Sequence, residues 1–157
     1  MKQEVASFLD YVAHSPTVFQ ATQQACDMLD AAGFTRLSEH EAWEILPGGR
    51  YYVTRNRSAL VAFAVPENSF THCQIVASHG DSPTFKLKAH AEGEAAGAYI
   101  RLDVEPYGGM IMSTWFDRPL SIAGRALVRK GGRLVTRLID LDRDAALIPN
   151  MPIHFNR

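Results

Sequence analysis

The sequence predicts an α/β fold, the start of an α/β/α sandwich followed by a β-rich unit, and three observations carry that prediction. Apolar residues recur at helical spacing between Val5 and Ala32. The run ALVAFAV is apolar at every position from Ala59 to Val65, the texture of a strand covered on both faces by helices. After residue 45 no helical pattern of useful length returns, and alternating apolar and polar runs take over.

Taken in order, Val5, Phe8, Leu9 and Val12 predict a first helix that stops near Ser15-Pro16, because a proline disfavours helical geometry in the residue before it. A second helix is predicted from Thr17 to Ala32 on Val18, Ala21, Ala25, Leu29 and Ala32, with Gly33 as its C-terminal cap and Phe34 returning to the core. Ser38 and Glu41 have the spacing of a capping box, which predicts a short helix over SEHEAWEI. Leu46-Pro47-Gly48-Gly49 reads as a turn, and YYVTRN with ALVAFAV as a hairpin around Arg57-Ser58. QIVAS, residues 74–78, repeats the buried-strand texture. FKLKAHAEG and YIRLDVEPY alternate, and the runs flanking Gly131-Gly132 predict a second hairpin. The first 85 or so residues therefore read as the start of an α/β domain, and roughly 90 to 157 as the β-rich unit.

At 157 residues, 46% hydrophobic and 21% charged, the chain is long enough to bury a core. With 16 basic against 17 acidic side chains and no basic block, phosphate-driven binding of nucleic acid is not expected. No run approaches the roughly 20 apolar residues that span a bilayer, so a membrane partner is not expected and a cytoplasmic location is. Cys26 and Cys73 have no disulfide or metal spacing, and both are expected reduced and buried.

The chemistry concentrates where IVAS runs into His79-Gly80-Asp81. Residues i and i+2 of an extended segment project together, so Asp81 can hold one ring nitrogen of His79 while the other is offered to a metal. Gly80 would let substrate or backbone approach, and Pro83 would stiffen the exit. Taken alone, His-x-Asp favours a structural reading instead, with His79 capping a turn and Asp81 bonded to the backbone near Ser82. His14, at a helix end, and His40, His72 and His90 read as structural or solvated. His154 sits among Pro149 and Pro152 with no evident need of an imidazole. Asp103 and Glu105, and Asp140, Asp142 and Asp144, read as solvated strand faces before they read as ligands, and Asp117-Arg118 as an ion pair that shapes a turn. A serine nucleophile at Ser78 or Ser82 would lack a G-x-S-x-G elbow.

Three segments change this balance. VASHGDSPTFKLK, EPYGGMIMSTWFDRPLSIAGRALVR and IPNMPIHFNR resemble, in order and spacing, the His-x-Asp-Ser-Pro, Tyr-Gly-Gly…Trp-Phe-Asp-Arg and Ile-Pro…Ile-His stretches of the aspartyl aminopeptidase family of metallopeptidases, peptidase family M18. The N-terminal SFLDYVAHSPTVFQ has the family's look as well. The resemblance implies a homo-oligomeric enzyme that uses two divalent metals, usually Zn2+, to remove N-terminal residues, acidic ones in the best-known members, from peptide substrates. It implies His79 as a metal ligand and Asp81 as the active-site carboxylate that orients it. For His154 it implies either a zinc ligand or a substrate contact in a neighbouring subunit. It also implies residues 1–88 as the N-terminal part of the catalytic domain and 89–157 as part of an inserted oligomerisation domain. The family's bridging carboxylate, further ligands and general base come from segments beyond its Ile-His motif, so the sequence is expected to be an N-terminal fragment. The alternative is a non-catalytic assembly module derived from such a peptidase.

Overall fold

The computed structural model describes residues 2–154. It is a mixed α/β structure in two compact units, Met1–Asp81 with Ile122–Asp142, and Ser82–Ser121 with Arg143–Arg157. Residues 122–142 thus group with the first 81, a cut unlike the division at residue 88.

In the first unit, α1 (Gln3–Ala13) ends at His14, whose Nδ1 lies 2.9 Å from the Asp10 carbonyl oxygen and 3.4 Å from its Oδ1. Its apolar stripe stays open, with Val5, Phe8, Leu9 and Val12 all exposed. Helix α2 (Val18–Ala31) starts on Thr17, whose hydroxyl accepts the Phe19 N–H at 3.2 Å. It stops at Gly33, which takes φ +78° while Phe34 N–H donates to Leu29 O and Gly33 N–H to Asp30 O, a Schellman closure. Phe34 is half-buried.

A three-stranded sheet follows in the order β1 (Thr35–Leu37), β2 (Arg50–Arg55), β3 (Ala59–Ala64), with β1 parallel to β2 and β2 antiparallel to β3. The core lies where α2 meets β2. Tyr52 is fully buried and donates its hydroxyl to Asp30 Oδ1 at 2.7 Å; Tyr51, Cys26, Gln20 and Thr22 are buried with it. Burial pushes the Cys26 thiol pKa up, so this cysteine is a packed thiol and not a reactive one. Strands β6 (Ala123–Lys130) and β7 (Arg133–Asp140) form the hairpin around Gly131-Gly132. Gln20 Nε2 donates to Ile139 O at 2.9 Å, and Arg125 reaches back to donate to Asn56 O at 2.7 Å while its guanidinium lies 4.3 Å from the Phe19 ring centroid.

In the second unit, β4 (Thr84–Ala95) and β5 (Tyr99–Tyr107) make an antiparallel hairpin whose register slips between Leu87 and Glu92. A short 3-10 turn, Met112–Trp115, follows it.

Four expectations fail. Residues 38–45 form a turn and no helix: Ser38 Oγ accepts the His40 N–H at 3.3 Å, and Ser38 O accepts Trp43 Nε1 at 2.7 Å. Eight residues fall below the roughly 12–15 at which an isolated helix is even marginal, so these local bonds win. Residues 74–78 form no strand, because among the described residues no strand pairs with them, and Ile75 and Val76 are 80% and 91% exposed. Strand β3 is not covered on both faces, since Val61 stays 61% exposed. Cys73 is exposed because it lies in that same unpaired stretch. Among the described residues no helix is long and apolar enough to cross a membrane.

Candidate metal centre

His79 and Asp81 stand at the end of a segment, residues 65–83, that has no regular secondary structure. The two side chains meet. His79 Nδ1 is 2.8 Å from Asp81 Oδ1 and 3.0 Å from Asp81 O. A carboxylate only accepts, so the proton of that contact is on Nδ1, and in the neutral imidazole Nε2 then carries the lone pair. The imidazole is 84% exposed and the carboxylate 31%, so the ring is held from the protein side and presented outward. This is the orientation a metal-binding histidine needs. Among the described residues nothing lies within 4 Å of a Cβ built on Gly80.

Within the second unit, Pro83 lies against a glycine of the Tyr-Gly-Gly stretch. That glycine, Gly108, takes φ +75°, a region that residues with a side chain rarely adopt, and a Cβ there would stand 3.4 Å from Pro83 Cα, in ordinary contact. Phe85 meets Trp115 edge-on, with ring centroids 5.3 Å apart. The motif segments around residues 83, 108 and 115 are neighbours, and their joint presence in the sequence was the signal that could have shown it.

His154 belongs to the second unit, exposed in a turn at residues 153–154. The chain leading to it is tied to Asp117. That aspartate accepts the Asn150 N–H at 2.9 Å, and Arg118 donates to Thr114 O at 3.5 Å, so the two shape a turn through the backbone and not through the expected ion pair. The other carboxylates are engaged as solvated faces would be: Asp103 with Arg101 at 3.1 Å, Glu105 with Lys86 at 3.3 Å, and Asp140 Oδ1 with the Asp142 N–H at 3.1 Å.

The donor set does not by itself fit a zinc ion. Zinc takes three or four protein ligands, and among the described residues no group of three His, Cys, Asp or Glu side chains is placed to hold a metal. His79 offers one.

A sequence model for "Aminopeptidase I zinc metalloprotease (M18)" matches residues 11–157. The chain belongs to the M18 peptidase family. Curated relatives described as "Probable M18 family aminopeptidase 2" agree with that placement. The one from Pseudomonas putida (strain GB-1) is 42% identical over 151 residues, 95% of this chain and 35% of the relative; the one from Pseudomonas aeruginosa (strain LESB58) is 44% identical over the same shares. This M18 chain therefore spans about a third of the length of the curated relatives it matches. Among solved structures, the Ape4 and Nbr1 complex superposes with a TM-score of 0.88 at 40% identity, covering 96% of this chain and 30% of that one. Yeast aminopeptidase 1 (Ape1) superposes at 0.84 and 32% identity, covering 96% and 36%. An M18 aminopeptidase from Thermotoga maritima, at 22% identity and a TM-score of 0.76, shares the fold.

Proposed function

We propose that this chain serves as the N-terminal third of a zinc-dependent aminopeptidase that removes N-terminal residues, acidic ones included, from peptides. The observation that carries the reading is the His79–Asp81 pair, in which the carboxylate takes Nδ1 and leaves Nε2 as a metal donor. His79 is one ligand, Asp81 is the carboxylate that orients it, and His154 is a second ligand or a substrate contact in a neighbouring subunit. The remaining ligands come from the portion of the relatives that this chain does not match, since one imidazole cannot hold two metals.

On this reading residues 1–88 open an α/β/α catalytic domain and 89–157 belong to an inserted oligomerisation domain. A homo-oligomer is favoured because a solved relative from S. cerevisiae, 30% identical, is a dodecamer. A cytoplasmic setting is favoured by two free cysteines. The second reading, a non-catalytic assembly module, is favoured by the lack of a three-ligand cluster among the described residues.

Metal content tests the shared site. Purified and desalted, this chain is expected to retain well below about one zinc per chain by elemental analysis, because a single histidine is too weak a donor set. About two tightly bound zinc ions per chain would overturn the division of ligands.

A further inference from the structure

We infer that Asp117 is a positioning residue for His154, an inference that rests on the role proposed for that histidine. Asp117 makes two bonds to one short segment: its N–H donates to Ile148 O at 3.0 Å, and its Oδ1 accepts the Asn150 N–H at 2.9 Å. Both are made from a left-handed backbone, φ +55°, a region that aspartate enters more readily than most residues with a side chain. A parallel bridge between Phe116 and Ile148 and an antiparallel one between Leu120 and Ala146 extend the anchorage on either side. The register of residues 146–150 is therefore set by the Trp-Phe-Asp-Arg-Pro turn.

Little freedom remains between that anchor and the imidazole. Asn150 Oδ1 accepts the Met151 N–H at 2.9 Å, and Pro152 fixes a φ angle on the way to the turn at 153–154. Asp117 thus anchors Asn150, four residues before His154. It touches no reacting group itself and acts through the histidine.

Two variants separate the carboxylate from the backbone strain. Asp117→Gly removes the acceptor but suits positive φ, and Asp117→Asn keeps an acceptor oxygen in a residue that tolerates that region. In this chain, exchange of the Asn150 amide proton is expected to rise about tenfold or more in Asp117→Gly and to stay within about threefold in Asp117→Asn. In the assembled, zinc-loaded peptidase, kcat/KM on unblocked aminoacyl anilides is expected to fall about tenfold in Asp117→Gly and to recover in Asp117→Asn. Added to His154→Ala, Asp117→Gly is expected to change kcat/KM by less than about threefold, because a residue acting through His154 has nothing left to position. A general folding defect would instead multiply the two losses. Unchanged Asn150 exchange, or losses that multiply, overturns the inference. If His154→Ala lowers kcat/KM and Asp117→Gly does not, positioning alone fails; if His154→Ala lowers nothing, the role of the histidine fails and the inference with it.

Discussion

Replacing His79 by alanine is expected to lower kcat/KM of the zinc-loaded peptidase by about a thousandfold or more, with a parallel loss of bound metal, while the melting transition stays in place. The split between activity and stability follows from exposure. The imidazole is 84% exposed and bonds to Asp81, two residues away, so its removal opens no cavity and strands no buried group. Surface changes of that kind stay within about 0.5 kcal/mol. Asp81→Asn is expected to do less, about 10–100-fold, because asparagine still accepts the Nδ1 proton but no longer lends a negative charge to the ring. The order matters: a ligand lost must cost more than its orienting group weakened. Steady-state kinetics with zinc analysis and thermal unfolding of both variants check it. A His79→Ala protein that is folded and fully active would end the metal-ligand assignment.

The pair was legible because its geometry is local. Two residues of spacing in an extended segment were enough to bring His79 Nδ1 and Asp81 Oδ1 within 2.8 Å, and the same locality made α1, α2, the Gly33 cap and the turn at Gly131-Gly132 readable. Where the outcome depends on partners, pattern alone misled. QIVAS has the composition of a core strand, yet a strand exists only as part of a ladder, and among the described residues nothing pairs with it. SEHEAWEI has a capping box, but Ser38 and Trp43 satisfy one another's groups within a turn. The Asp117–Asn150 bond spans 33 residues and the Arg125–Asn56 bond 69, distances over which no periodicity in the sequence speaks. The three-residue strand β1 carries too few side chains to show any period at all.

Tyr52→Ala is expected to remove about 3–5 kcal/mol of stability, the range for deleting a buried aromatic side chain, and so much of what a domain of this size possesses. Tyr52 is the residue on which α2 and β2 meet: it is fully buried, and its hydroxyl donates to Asp30 near the end of α2. Tyr52→Phe isolates the hydroxyl and is expected to lose about 1–2 kcal/mol, since the bond is to a carboxylate. The same bond gives an alkaline signature. Burial first, and the hydrogen bond to Asp30 second, push the phenol up to about 12 from its ordinary value of 10. The folded chain therefore holds this proton more tightly than the unfolded one. The stability contributed is whole below pH 10 and is lost as the pH rises toward and through about 12. Urea unfolding followed across that window is expected to show wild type losing stability that Tyr52→Phe does not lose, because phenylalanine has no proton to give up. Parallel alkaline profiles for the two proteins would mean that another group governs the transition and that the buried phenol is not the hinge between α2 and β2.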